Sequence, residues 1–219
     1  MIDLSEIKIK RQSRRTMSIH ILPSGTVEVR APKLMPKFFI NDFVKKNSDW
    51  IEEKLKTSKR GVTKKYQHGE SFLFLGKEYT LNVGNYSKIE LKDDKLLFPA
   101  GMLFRAKKEL ESWYIKQAKQ IITEQLIYYA KEMDTKYNAL SFSDTSSKWG
   151  SCTHDNRLQF NWRLVMAPLL VLRYVVIHEL SHTTEKNHSR KFWSRVASFN
   201  PSYKEQIKWL KTHGDTLTV

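Results

Sequence analysis

The sequence predicts an α+β chain, with a β-rich first part to about residue 100 and a helical part from residue 101 to residue 219. Three features lead there. Before residue 100, short segments alternate apolar and polar residues, the two-residue period of half-buried strands. From Phe104 to about Tyr137, apolar residues recur at helical spacing. From Leu169 to Ile177 the chain is apolar almost all round, interrupted by Arg173, which marks a helix buried in a core.

Ile7-Lys8-Ile9-Lys10-Arg11 and Met17-Ser18-Ile19-His20-Ile21 alternate cleanly, and Val27-Glu28-Val29-Arg30 follows the turn residues Pro23-Ser24-Gly25. Three antiparallel strands are expected from this pattern. Pro36 is suited to opening a helix, expected to run to about Lys56 with Phe39, Phe43, Trp50 and Leu55 as its buried stripe. Ser58 to Gln67 is polar and basic, a loop. Phe72–Leu75 and Glu78–Val83 flank Gly76-Lys77, and Ile89–Leu91 and Leu96–Phe98 flank Asp93-Asp94. Both read as hairpins.

In the long helical segment Leu110, Trp113, Tyr114, Ala118, Ile121, Ile122, Leu126 and Tyr129 form the apolar face. A β section follows: Leu140–Phe142, Lys148–Cys152 and Leu158–Trp162, the last two joined by His154-Asp155-Asn156, good turn chemistry. Tyr203 to His213 closes the chain as a basic helix. Neither an internal repeat nor a low-complexity tract is found.

Composition narrows the classes. At 219 residues with 40% hydrophobic content the chain can bury a real core. One cysteine, Cys152, excludes an internal disulfide and fits a reducing compartment. The longest apolar run, Ala167 to Ile177, is far short of a membrane span, so a cytoplasmic protein without a membrane partner is expected. The formal charge is +15, and residues 1–68 hold 16 Lys/Arg against 7 Asp/Glu. Such a surplus suits nucleic acid, nucleotides or another acidic partner, or is a solvated basic surface. Arg11, Arg14 and Arg15, with Lys59, Arg60, Lys64 and Lys65, are the candidate anion face.

The chemistry concentrates at His178-Glu179-Leu180-Ser181-His182. On a helix, residues four apart stand one turn above each other, so His178 and His182 can point at one cation, as zinc requires. Glu179 is turned about 100° away, placed to handle a proton beside the metal rather than to share it. A third ligand is less direct. An unbroken helix would carry His188 about 240° round from His178, so His188 can join only if the helix ends first. Asn187 could end it in a left-handed conformation, and Ser189 or Asn187 could cap a new one. Glu185, Glu205 and His213 are the competing candidates. Two histidines on an apolar helix also fit a purely structural role.

With these residues the sequence resembles the YgjP-like metallopeptidase domains, within the zincins that include the SprT-like and WLM proteins. The resemblance rests on Lys148-Trp149-Gly150-Ser151-Cys152, Asn161-Trp162-Arg163-Leu164 with Pro168, the His178–His182 motif, and Asn187-His188-Ser189 with Phe192-Trp193. It implies a zincin-like helical domain with a small sheet, zinc held by His178, His182 and His188, and Glu179 as base. It also implies that an edge strand at Trp149, Gly150 and Ser151 holds an extended peptide by main-chain pairing; a core hairpin with Trp149 buried is the plainer reading. Asn156 stands where the family often has glycine, and it tolerates the same backbone.

The expected function is zinc-dependent peptide hydrolysis. The alternatives are metal-dependent hydrolysis of a nucleoside triphosphate, against which the lack of a Gly-rich phosphate loop counts, and a nucleic-acid-associated protein with a structural zinc. Cys152 has no base placed against it, and His154, Arg157 and Tyr203 are at most oxyanion stabilisers.

Overall fold

In the computed structural model, which describes residues 7–22, 26–58, 64–145 and 147–219, the alternation in Val27–Pro32 makes that segment, β3, the centre of a three-stranded sheet. β1 (Lys8–Gln12) and β2 (Ser18–Ile21) flank it. β2 pairs antiparallel with β3, but β1 pairs parallel with it. The expected all-antiparallel arrangement is therefore corrected. Alternation reports which face is buried and is silent on which strand lies beside which. The turn expected at Pro23-Ser24-Gly25 lies outside the described residues.

The helix expected from Pro36 to about Lys56 is two helices, α1 (Lys37–Lys46) and α2 (Ser48–Ser58). Asn47 separates them, and its side chain donates to the Phe43 carbonyl at 2.7 Å, taking a carbonyl the ladder would otherwise use. The buried stripe also differs from the expected one. Ile40, Val44 and Ile51 pack with Val27, Val29 and Ala31, with Leu55 partly buried against them, while Phe39 is 54% and Trp50 43% exposed.

The chain divides into two units, residues 1–63 and 64–219; the expected boundary near residue 100 falls inside the second. The reason lies in the hairpin of β4 (Ser71–Phe74) and β5 (Lys77–Gly84). Its two-residue turn has positive φ at both Leu75 and Gly76, the mirror-image turn that matches strand twist. Gly76 lies so close to Pro168 that a Cβ would stand 2.8 Å from it. Leu75 and Gly76 donate to the Val165 and Met166 carbonyls. Phe72, Phe74, Leu81, Leu96 and Phe98 thus share one core with the helices that follow.

β6 (Glu90–Lys92) and β7 (Lys95–Pro99) complete a sheet of order β4-β5-β7-β6. A 3-10 turn, Ala100–Arg105, leads into α3 (Ala106–Glu132), which buries Leu110, Tyr114, Ala118, Ile122 and Leu126. The buried Tyr114 hydroxyl donates to the Leu73 carbonyl at 2.7 Å. A second small sheet follows, of order β8-β10-β9, from β8 (Ala139–Ser143), β9 (Gly150–Cys152) and β10 (Arg157–Asn161). α4 (Leu169–Ser181), α5 (Arg190–Phe199) and α6 (Tyr203–His213) close the unit. Among the described residues no helix is long and apolar enough to cross a membrane.

Candidate metal centre

The apolar run of α4 buries Val171, Leu172, Val175, Val176, Ile177 and Leu180, which anchors the helix and holds its last turn still. The helix stops at Ser181, with His182 still in a right-handed conformation at its end. Asn187 is not among the positive-φ residues, so the expected left-handed closure is replaced. The last carbonyls are taken instead by the amides and hydroxyls of the residues that follow: the Thr183 amide and Oγ1 both donate to Leu180 O, and the Thr184 amide and Oγ1 and the Glu185 amide donate to Ser181 O. Ser189 caps α5 by accepting from the Phe192 amide. The chain thereby turns back within six residues and brings His188 to the other two imidazoles.

Nε2 of His188 lies 3.2 Å from Nε2 of both His178 and His182. The potential ligand atoms of the three residues all fall within 4.8 Å of one another. Nitrogens about 2.0–2.1 Å from one tetrahedral zinc would be roughly 3.3 Å apart, so the spacing fits that ion. The protonation pattern agrees. His182 Nδ1 meets the Glu185 carbonyl at 3.0 Å; a carbonyl only accepts, so Nδ1 carries the proton and Nε2 presents its lone pair. His178 Nδ1 lies 3.3 Å from the Tyr174 hydroxyl, and Tyr174, one turn earlier, orients that ring. Burial, then the neighbouring His182 and His188, pulls His178 down to about 3, and burial lowers His182 as well. Both shifts favour the neutral imidazole that a metal ligand requires.

Glu179 is 5% exposed. Burial pushes its carboxyl up to about 8, with the Lys148 ammonium acting the other way. It faces β9, and a Cβ on Gly150 would come within 2.7 Å of Glu179 Cγ and Oε1. Only a residue without a side chain lets strand and carboxylate approach so closely. β9 lies at the edge of its sheet, paired through Gly150, Ser151 and Cys152 with β10 alone. Lys148 donates to Ser151 Oγ at 2.9 Å. The half-buried Trp149 ring lies against Gly214. The sequence stretch expected to carry Trp149, Gly150 and Ser151 thus stands beside the triad helix.

Two tethers hold that strand, and neither was signalled by the motif. Asn161, 3% exposed, donates to the Thr145 carbonyl at 2.8 Å and accepts from the Arg163 amide at 3.0 Å. Lys186 reaches from the turn after α4 to the Thr153 carbonyl and to Asn156 Oδ1; Asn156 takes the left-handed conformation expected of it, with φ of 59°. The imidazoles are buttressed by three rings, of which the sequence marked Phe192 and Trp193 only through the family resemblance and Tyr203 only as an oxyanion candidate. Phe192, fully buried, stacks on His182 with centroids 4.4 Å apart. Trp193 stacks on His188 at 5.6 Å and Tyr203 on Trp193 at 5.2 Å. A pair of aromatics following a candidate ligand and a capping serine was the one available hint.

The rival candidates separate. Glu185 contributes its main-chain carbonyl, and among the described residues the cluster able to hold a metal consists of His178, His182 and His188. His213 stacks on Trp209 at 4.8 Å. Cys152 is partly buried, which raises its thiol above the usual range and disfavours a nucleophilic thiolate. Arg157 pairs with Asp155 at 2.7 Å on the exposed turn. Lys59 and Arg60 lie outside the described residues, and Arg11 gives its guanidinium to the carbonyls of Lys33 and Met35.

Replacing Gly150 by Ala is expected to displace the Glu179 carboxylate and lower peptide turnover about 10²-fold, the scale of a 1 Å misplacement, with metal content unchanged. Unaltered turnover by Gly150→Ala would separate the strand's close approach from the chemistry.

Comparison with curated proteins and with solved structures gives no match. The family model of the YgjP-like metallopeptidase domain, in contrast, matches residues 15–213. With that coverage the chain belongs to the YgjP-like family of metal-dependent peptidase domains.

Proposed function

We propose that the protein is a zinc peptidase in which His178, His182 and His188 hold the ion and Glu179 acts as general base. The observation that carries the reading is the convergence of three imidazole Nε2 atoms within 4.8 Å, beside a buried carboxylate that faces an edge strand. When bound, the ion supplies Lewis acidity, polarising a carbonyl and making water nucleophilic near neutral pH. Glu179 accepts the attacking water's proton on a carboxylate oxygen and returns it to the leaving amine as the carbon–nitrogen bond breaks. Its position in a desolvated pocket supports that work, because a carboxyl with a pKa near the operating pH both takes and gives a proton. The free edge of β9 at Trp149, Gly150 and Ser151 pairs with the main chain of an extended peptide. That pairing lays the scissile carbonyl between the triad and Glu179.

Purified protein is expected to hold about one zinc per chain, the stoichiometry of a three-histidine site with one open position, and to cleave casein in a chelator-sensitive way. A preparation without stoichiometric divalent metal would remove the basis of the proposal. Chelator-sensitive turnover of a nucleoside triphosphate, with none of casein, would assign the same residues to phosphoanhydride hydrolysis.

A further inference from the structure

The first unit carries a feature the metal centre does not use. Leu34 is 95%, Phe38 74% and Phe39 54% exposed. Exposed apolar side chains are ordinary when scattered. The Phe38 and Phe39 rings lie 5.6 Å apart, Leu34 stands four residues before Phe38 in the turn that leads into α1, and the backbone of that turn is held. Arg11, on β1, donates to the carbonyls of Pro32, Lys33 and Met35 at 3.4, 2.9 and 2.6 Å. Met35 packs against the Val27–Ile51 core. An arginine therefore clamps the turn that keeps Leu34 in water, and α1 starts immediately after it. Ile40 and Val44 take the buried side of α1, which leaves Phe38 on the opposite side, where Lys45, seven residues on, returns to nearly the same line.

The rim of the patch is basic. Lys33 and Lys37 flank Leu34 and Phe38 in the chain, Lys45 lies on the Phe38 line of α1, all three are exposed, and the acid on α1, Asp42, pairs with Lys46 at 2.9 Å. We propose that Lys33–Phe39 is a peripheral docking surface for an anionic lipid bilayer, with Leu34 and Phe38 entering the headgroup boundary and the lysines meeting lipid phosphates or carboxylates. Charge selects this occupant over a second copy of the chain, since self-association would set Lys33, Lys37 and Lys45 against the same three lysines. Shape selects it over nucleic acid: the Phe38 and Phe39 rings meet edge-to-face at 70° and offer no common stacking platform, and Leu34 has no face for a base to stack on. A protruding aliphatic and aromatic tip with a basic rim is what an interfacial element buries. No membrane-spanning segment is required for this mode.

The test is co-sedimentation of the full chain with vesicles of phosphatidylcholine alone, and with about 30% phosphatidylserine added. The wild type is expected to bind the anionic vesicles and not the neutral ones, less strongly as salt rises. Leu34→Ser with Phe38→Ser should lower the partition coefficient about tenfold or more. Lys33→Glu with Lys37→Glu should lower it at least about fivefold per lysine. Metal content and thermal midpoint of both variants should match wild type, because all four side chains are exposed. Equal partitioning of wild type and the Leu34/Phe38 variant overturns the proposal, as does failure of the wild type to bind anionic vesicles. A single-stranded oligonucleotide released by these substitutions, with vesicle binding untouched, overturns it in favour of nucleic acid.

Discussion

Glu179→Gln is expected to lower peptide turnover by about 10²–10⁴-fold, the range general acid–base catalysis supplies, with metal content unchanged. Gln keeps the size and hydrogen-bonding groups of Glu but cannot take a proton from water. On α4 the residue is turned about 100° from His178, so its loss leaves the ligand set complete. Stability provides a second check. Burial raises the Glu179 carboxyl to about 8, which means that the charged form is disfavoured at its position; a neutral amide of the same shape relieves this. With the metal removed by chelator, the thermal midpoint of Glu179→Gln should equal or exceed that of wild type. The loss should sit in kcat with KM little changed, since the proton transfer belongs to the transition state. Turnover above about a tenth of wild type, outside the range expected for a lost base, would take Glu179 out of the mechanism.

The triad shows how far a sequence carries and where it stops. His178 and His182 were legible because a helix period fixes their relation once the apolar run from Leu169 establishes the helix. His188 needed one further step, that the helix must end between them. The manner of ending was not legible. Thr183 and Thr184 close the last turn through both their amides and their hydroxyls, local bonds that compete with the left-handed closure expected of Asn187. Phe192 and Trp193 lie against the imidazoles; the sequence marked them through the family resemblance alone, because tertiary contact leaves no period of its own. Gly150 is similar: its need for a hydrogen side chain arises from Glu179, residues away in sequence and on another element.

The fold divides the same way. Both hairpins of the second unit were visible, one at its turn Asp93-Asp94 and the other one residue off, its turn being Leu75-Gly76 rather than Gly76-Lys77; β9 and β10 were visible in their turn residues. The parallel pairing of β1 with β3 and of β5 with β7 was not, since neighbours in a sheet are chosen by packing and chain connection. The helix region 37–58 went wrong for a more specific reason. Its large aromatics, Phe39 and Trp50, read as the buried face, but smaller residues one position on, Ile40 and Ile51, are the ones at 0% exposure. Size is a poor guide to burial where a surface has another use, and the exposed aromatics are the basis of the proposed lipid surface.

His182→Ala and His188→Ala should both abolish turnover by removing the metal, and their difference tests the geometry of the site. Wild type saturated to about 100 times the dissociation constant gains roughly 2.7 kcal/mol from binding a ligand absent in the unfolded state. For a chain of this size that is a thermal shift of about 5–10 °C between metal-loaded and chelated protein. Neither variant should show the shift. His182→Ala also loses the Nδ1 bond to the Glu185 carbonyl, which helps to fix the turn after α4, and its partly buried ring leaves Phe192 without its stacking partner. A lost hydrogen bond of this kind costs about 1 kcal/mol. Chelated His182→Ala should therefore melt below chelated wild type. His188 is exposed, so chelated His188→Ala should melt close to it. Calorimetry of the three proteins with and without chelator reads both effects at once. A metal-dependent shift that survives in His188→Ala would show that the ion is held without the third imidazole, and the three-histidine site would then be wrong even if His178 and His182 remained its ligands.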